Sequence, residues 1–190
     1  MATETVNLKN NIIWANSANG SGEDKAIYLY TSVSGHVVIR DNLISGTSTS
    51  NKYDNASWRT GVWSDGNSAL LTITENTISY SRTALNLDAF DGSKTSVSQN
   101  SFIQDGSGIS IGSNAVDVLT TGISNNTFNG VDTDFNFQNL PSSKPIAFDL
   151  GATTNTSVVN DITVVLGGGG NDSITGAGGP DYVAGNAGND

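Results

Sequence analysis

The most regular feature of the sequence is a frame of an apolar residue, two further residues, an asparagine, one residue and a second apolar residue. Five copies occur: Leu8/Asn11/Ile13, Ile39/Asn42/Ile44, Ile73/Asn76/Ile78, Val97/Asn100/Phe102 and Ile123/Asn126/Phe128. The asparagines are 31, 34, 24 and 26 positions apart. Helical repeats keep a fixed length, so this variation favours a unit that carries one variable loop.

Each unit also contains a second short segment with alternating side chains, at 27–29, 62–64, 85–87, 109–111 and 135–137. A period of two places the outer members of each triplet on one side, where the apolar residues line a core. Short strands of this kind bury that side when the chain winds into a coil and each turn stacks on the last. We therefore predict an all-β fold, a parallel β-helix of about five coils over residues 1–140.

The repeated asparagines have two physical explanations. Asparagine tolerates the left-handed backbone of a tight bend, and stacked amides at one level of successive coils form hydrogen bonds along the axis. An antiparallel sandwich is the competing architecture, because Asn-Gly and Asp-Gly pairs are typical of hairpin turns. Such pairs start at positions 19, 65, 91, 105 and 129. The shared asparagine frame favours the coil.

This frame resembles the right-handed parallel β-helix of the pectate-lyase-like superfamily, over residues 6 to about 140. The resemblance implies the fold and its right-handed winding. It does not indicate a chemistry, because that fold carries lyases, hydrolases, epimerases and non-catalytic stalks.

A second period, of nine residues, begins at Gly167. Glycines recur at 170, 179 and 188, and aspartates at 172, 181 and 190. This pattern resembles the RTX nonapeptide, in which glycine-rich turns and aspartates offer oxygen ligands to Ca²⁺. The resemblance implies a calcium-binding parallel β-roll at 167–190, joined to the β-helix by transition strands at 141–166.

In the RTX family two nonapeptides form one coil, so the first repeat would stack on the third. The resemblance then implies a Ca²⁺ site made by Asp172, Asp190 and the carbonyl groups of Gly167, Gly169 and Gly185. Asp181 would face the other side, in a half-built site. The alternative is a disordered linker rich in Gly, Asn and Asp.

Charge and composition exclude several classes of partner. The net charge is −10 with no cysteine, which argues against nucleic acid, an anionic membrane, a disulfide scaffold and a thiolate metal site. No apolar run has the length of a membrane span. Because the RTX resemblance implies export, we expect a secreted, extracellular protein of bacterial type. The incomplete last repeat and the uncapped first coil lead us to expect a longer parent chain.

A β-helix followed by RTX repeats is similar to the C-terminal part of secreted mannuronan C-5 epimerases and polysaccharide lyases. The epimerase family uses an Asp-Pro-His motif, and that motif does not occur in this sequence. Its catalytic residues therefore cannot be carried over, and the catalytic residues are unknown. The single histidine, His36, is interpreted as a residue at the edge of a coil.

The outward positions of the second segment offer a candidate binding surface. Tyr28 is expected beside Trp63, with Tyr30 and Asp65 at the next outward level, and the loop at 45–60 adds Trp58 and Arg59. Exposed aromatic rings with flanking charges can stack on sugars and bind their polar groups. The alternative is a stack that only stabilises neighbouring coils. For Asp65 and Asp88, a glycosidase-like pair competes with an ordinary acidic surface.

Three functions follow from these patterns. The leading hypothesis is a calcium-binding extracellular module, non-catalytic by itself, that binds or presents an acidic or neutral polysaccharide or serves as a stalk. The second is a C-5 epimerase or uronate lyase using Tyr28, His36, Arg40 or Arg59. The third is a piece of an adhesin or surface layer that self-associates through its coil ends.

Overall fold

A computed structural model describes residues 5–14, 25–30, 35–46, 60–65, 70–112, 114–115, 122–137, 147–149, 156–157, 163–166, 173–175 and 181–185. Within these ranges the regular elements are twenty short strands. In chain order they are β1 (Thr5–Lys9), β2 (Ile12–Trp14), β3 (Lys25–Leu29), β4 (His36–Arg40), β5 (Leu43–Ser45), β6 (Thr60–Ser64), β7 (Leu70–Thr74), β8 (Thr77–Ser79), β9 (Thr83–Leu87), β10 (Thr95–Ser98), β11 (Ser101–Ile103), β12 (Ser107–Ile111), β13 (Ile123–Ser124), β14 (Thr127–Asn129), β15 (Thr133–Asn136), β16 (Ala147–Asp149), β17 (Thr156–Ser157), β18 (Thr163–Leu166), β19 (Ser173–Thr175) and β20 (Asp181–Ala184).

The strands stack into three long sheets, and every neighbouring pair is parallel. Sheet A has the order β1-β4-β7-β10-β13, sheet B the order β17-β14-β11-β8-β5-β2, and sheet C the order β20-β18-β15-β12-β9-β6-β3. The chain passes through sheets A, B and C in turn, and each full round forms one coil. The predicted parallel β-helix of about five coils is confirmed. The antiparallel sandwich is wrong, since the Asn-Gly and Asp-Gly pairs do not connect antiparallel strands among the described residues.

Each asparagine frame spans two strands on either side of a bend. The first apolar residue lies in sheet A and the second in sheet B, while the alternating triplets form sheet C. Loops absorb the unequal coil lengths, so the apolar residues still pair in register. In sheet A the aligned row is Leu8, Ile39, Ile73, Val97 and Ile123. Together with matching rows in sheets B and C, it forms one continuous buried core.

The asparagine amides form a ladder along the axis, as predicted. Asn76 Nδ2 donates to Oδ1 of Asn100 at 3.0 Å and to the carbonyl oxygen of Ile39 at 2.9 Å. Its own Oδ1 accepts from the backbone N–H and the Nδ2 of Asn42, at 3.0 and 2.9 Å. Each inner rung therefore bonds to the coil before it and the coil after it. Asn42, Asn76, Asn100 and Asn126 are almost fully buried.

The backbone explanation for these asparagines is corrected by the structure. Positive φ falls on the residue immediately before each ladder asparagine: Asn10 (59°), Asp41 (55°), Glu75 (57°), Gln99 (57°) and Asn125 (56°). The ladder asparagine itself is needed for its amide and not for left-handed backbone. Two adjacent residues thus form the bend. The first adopts the left-handed backbone, and the second supplies the amide of the ladder.

The core becomes aromatic towards the later coils. Phe102, Phe128 and Phe135 follow one another with ring centroids 5.1 and 5.0 Å apart. Gly108 makes room for this stack, because a β-carbon at that position would overlap the ring of Phe128. Aromatic contacts of this kind stabilise beyond the apolar area they bury.

The C-terminal strands continue sheet C. β18 pairs with β15, and β20 pairs with β18 in a register that joins Thr163 to Asp181. These two residues are 18 positions apart, which equals two nonapeptides. β16 and β19 form a separate parallel pair. At the outermost strand Val183 is 42% exposed, although it pairs with the buried Val165.

Candidate functional site

The candidate site lies on the outer face of sheet C, where β3 pairs with β6. Ile27 and Leu29 point into the core, so the residue between them faces outward. The register aligns Tyr28 with Trp63 on the neighbouring coil. The predicted adjacency of these two aromatic residues is confirmed.

Three aromatic side chains meet at this point, and we name Tyr28, Tyr30 and Trp63 the aromatic cluster. The ring of Tyr28 lies 5.9 Å from the ring of Tyr30 and 5.9 Å from that of Trp63, in both cases nearly edge-on. Tyr28 is 44% exposed and Tyr30 is 60% exposed. The two tyrosines therefore give the cluster an exposed aromatic surface, and aromatic rings are groups on which a ligand can stack.

The indole of Trp63 turns its polar atom inward. Its Nε1 is buried and has no hydrogen-bond acceptor among the described residues. A ligand at the surface can therefore contact carbon atoms of the indole but not its N–H group.

A lysine lies over the cluster, and sequence reasoning missed it. Lys25 Nζ is 4.2 Å from the ring centroid of Trp63 and 5.1 Å from that of Tyr28. Both distances are within the range of a cation–π interaction. Lys25 begins the strand that contains Tyr28. Residues three positions apart on a strand start out on opposite faces, so the sequence carried no signal for this contact.

Two carboxylates flank the cluster. Tyr28 Oη donates to Oδ2 of Asp65 at 3.0 Å. Asp88 follows on the next coil, because its N–H donates to the carbonyl oxygen of Ser64, and its Oδ2 accepts from Asn114 Nδ2 at 2.8 Å. Asp65 and Asp88 thus have different hydrogen-bond partners, which gives each an ordinary structural role beside the cluster.

The environment of Tyr28 keeps its hydroxyl protonated. Partial desolvation raises the pKa of Tyr28 above its ordinary value of 10.0, and the hydrogen bond to Asp65 and the nearby negative charges raise it further. A phenol with a raised pKa is a hydrogen-bond donor at neutral pH and a poor general base. This environment disfavours the catalytic role considered for Tyr28.

His36 and Arg40, two of the other residues considered for catalysis, lie elsewhere. His36 and Arg40 are on β4 in sheet A, whereas Tyr28 is in sheet C. His36 Nε2 is 2.9 Å from Oγ1 of Thr72, beside an open depression of about 390 Å³ that Lys94 also lines. Arg40 forms ion pairs with its neighbours Asp41 and Glu75. The structure therefore does not assemble these residues with Tyr28 into one site.

Several predicted site residues lie outside the described residues. They are Trp58, Arg59, Gly167, Gly169, Asp172 and Asp190. Asp181 begins β20, and Gly185 follows that strand directly. Within the described part of the chain, no group of three or more His, Cys, Asp or Glu residues is arranged to hold a metal ion. The calcium site stays a prediction.

Comparisons with known proteins leave the site to be interpreted from its own geometry. No family model, no curated protein and no solved structure matches the chain. Among the described elements, none is a helix with the length and apolar character needed to cross a membrane.

Proposed function

We propose that this chain is a calcium-binding extracellular β-helix module that binds polysaccharide through the aromatic cluster. The observation that carries the proposal is the contact of Tyr28 with Trp63, Tyr30 and Asp65 on an exposed sheet face. If the rings only stabilised neighbouring coils, that role would not explain why Tyr30 is 60% exposed, the most of the three. The module is non-catalytic by itself.

The geometry of sheet C suits an extended sugar chain. Sugar rings present C–H groups that pack on aromatic faces, and their hydroxyls pair with carboxylates and amides. Beyond Trp63 the outward row continues with Asn86, Ser110 and Asn136. Parallel coils are about 4.8 Å apart. Asn86 and Asn136 are half-buried, whereas Ser110 is buried, so a polysaccharide that lies along the axis meets an accessible polar group at two of these three coils.

The binding test uses Trp14, an exposed tryptophan on another sheet, as a control. Trp14 lies on β2 in sheet B and is 59% exposed. Calorimetric titration with neutral β-linked hexasaccharides should show binding that Trp63→Ala weakens at least about tenfold, since one aromatic contact is worth about 1–3 kcal/mol. Trp14→Ala should leave the affinity unchanged.

Two results would contradict the binding proposal. Equal losses in Trp63→Ala and Trp14→Ala would indicate non-specific adsorption to exposed rings. An absence of binding to every neutral, acidic and basic glycan tested would remove polysaccharide recognition altogether. Circular dichroism before each titration establishes that the variants are folded.

For calcium, the support is the repeat pattern together with the pairing of β18 and β20. Their 18-residue offset equals two nonapeptides, which is the coil length that the RTX resemblance implies. We propose that Asp172 and Asp190 bind Ca²⁺ with nearby carbonyl oxygens. Millimolar Ca²⁺ should raise the melting temperature, because an ion that binds only the folded state stabilises it.

The calcium test compares carboxylates of different location. Asp172→Asn and Asp190→Asn should abolish most of the calcium-dependent rise in melting temperature. Glu75→Gln makes the same charge change at the bend after β7 and should preserve that rise. If Mg²⁺ or 0.2 M NaCl raises the melting temperature as much as Ca²⁺ does, the effect is charge screening and the site is not a calcium site.

Self-association through the coil ends is a second proposal with its own observation. Val6 belongs to the inward row of sheet A, where it pairs with the buried Val37, yet it is 46% exposed. Val183 is exposed in the same way on β20. Sedimentation of Val6→Lys and unmodified protein over a hundredfold concentration range tests this proposal, since a monomer at all concentrations contradicts it.

A further inference from the structure

The position of Lys25 indicates which chemical group the aromatic cluster accepts. Its ammonium nitrogen lies 4.2 Å from the ring centroid of Trp63 and 5.1 Å from that of Tyr28. The electron-rich faces of Trp and Tyr attract a cation at this distance. The chain thus places its own primary ammonium group on the rings that the proposed function assigns to a ligand.

The charges around the cluster favour a cationic ligand over an anionic one. Asp65 Oδ2 accepts a hydrogen bond from Tyr28 Oη at 3.0 Å, and Asp88 lies one coil further along sheet C. Among the described residues, two carboxylates therefore accompany the ammonium of Lys25, on a chain whose net charge is −10. A polyuronate adds negative charge to this surface, whereas an amino sugar adds positive charge.

We propose that the aromatic cluster binds an amine-bearing polysaccharide, a polymer of glucosamine, whose ammonium group replaces that of Lys25 on the rings of Trp63 and Tyr28. The inference rests on the proposed function and names the ligand class for the same site. Lys25 is then an internal competitor. Asp65 is a positioning residue, because its carboxylate orients the Tyr28 hydroxyl and attracts the incoming charge.

The exchange requires the Lys25 side chain to rotate away from the rings. Lysine has four rotatable bonds and a compact, strongly hydrated charge, and Lys25 stands at the first position of β3, where it is half-buried. When the ligand ammonium arrives, the lysine ammonium returns to water. A neutral sugar cannot make this exchange and must pack beside Lys25.

The experiment compares three hexasaccharides of different charge under one set of conditions. These are oligomers of glucosamine, N-acetylglucosamine and mannuronate, titrated calorimetrically at pH 6 and 0.15 M NaCl. The glucosamine hexamer should bind about tenfold more tightly than the N-acetylated hexamer, and the mannuronate hexamer should bind most weakly.

The sign of the Lys25 effect is the sharpest readout. Lys25→Met keeps the apolar stem and removes the competing charge, so it should raise affinity for the glucosamine hexamer about threefold to fivefold. Lys9→Met makes the same charge change on sheet A and should have no effect. Asp65→Asn should weaken glucosamine binding about threefold, whereas Glu75→Gln, at the bend after β7, should not change it.

Each outcome decides the inference. If Lys25→Met weakens binding, or if the mannuronate hexamer binds best, Lys25 is a ligand for anions and the inference is overturned. Equal effects of Asp65→Asn and Glu75→Gln indicate general attraction to an acidic protein and also overturn it. If all three hexamers bind alike through Trp63, the inference fails while the proposed function stands. If none binds, the proposed function fails as well.

Discussion

The asparagine corner and the outer face of sheet C are made by the same coils, yet they treat repetition in opposite ways. At the corner one residue type returns in every coil, at positions 11, 42, 76, 100 and 126. On the outer face the aligned row changes at each coil, from Tyr28 and Trp63 to Asn86, Ser110 and Asn136. Position in the coil is the same for all members of each row.

A ladder side chain needs the same residue type on the neighbouring coils, whereas an outward side chain does not. Each ladder amide is a donor to one neighbouring coil and an acceptor for the other, so a different residue would leave buried groups unpaired. An outward side chain has no such requirement. Departures from the repeat that cluster on an exposed face, as Tyr28, Tyr30 and Trp63 do, therefore direct attention to a ligand.

The largest loss of stability is expected when the middle rung of the ladder is removed. Asn76 is 1% exposed and forms hydrogen bonds with two neighbouring coils. Asn76→Ala leaves several buried donors and acceptors unpaired, at about 1–3 kcal/mol each. We expect the free energy of unfolding to fall by about 3 kcal/mol or more, measured by urea denaturation followed by circular dichroism.

The first rung supplies the matched control. Asn11 is exposed and donates to Asn42 without occupying a buried position. Asn11→Ala should therefore cost about 1 kcal/mol or less. Similar losses in both variants would mean that the ladder acts through backbone preference and not through buried amides.

A smaller effect is expected at Asp91, which departs from the repeat but is buried. Its Oδ1 accepts from the Oγ and the backbone N–H of Ser93, and Lys94 Nζ lies 3.1 Å from Oδ2. The hydrogen bond from Ser93, with the contribution of Lys94, holds the pKa of Asp91 below its ordinary value of 3.8. Such a carboxylate stabilises the fold above pH 3.8, and the stabilisation disappears as pH falls through the lowered pKa.

The pH dependence distinguishes this charge from a simple polar contact. At pH 7 the unmodified protein should be about 1 kcal/mol more stable than Asp91→Asn, and the gap should close as pH decreases below 3.8. Ser93→Ala, which keeps the carboxylate but removes its best donor, should reduce the pH-dependent part. A gap that stays constant from pH 7 to pH 2.5 would contradict the assignment.

Much of the fold could be predicted because the ladder requires one asparagine in every coil. The asparagine frames at 11, 42 and 76 gave the coil boundaries despite loops of unequal length. The left-handed position could not be found in this way. It lies one residue earlier, where the side chains differ in type from Asp41 to Glu75 and Gln99. These residues share a backbone conformation and a backbone hydrogen bond to the next coil, and neither requires a particular side chain.

The aromatic pair of the candidate site could be predicted from the sequence, but the lysine could not. Period-two alternation fixes which residues face outward, and it placed Tyr28 beside Trp63. It does not describe the path of a long flexible side chain. Lys25 reaches the ring of Trp63 on the next coil through its aliphatic stem, and such a contact depends on rotamers that spacing along the sequence does not encode.

The smallest change in stability is expected at the left-handed residue that precedes the ladder asparagine. Gln99 is exposed and has a φ of 57°, while Asn10 and Asn125 occupy the same position in other coils. Asparagine tolerates left-handed backbone better than glutamine. Gln99→Asn should raise the free energy of unfolding by about 0.5 kcal/mol, seen as a higher urea midpoint at an unchanged slope. Ser96→Asn, at an exposed strand position, should give no gain because asparagine is unfavourable in strands. Equal gains would show that the bend does not select its first residue by backbone conformation.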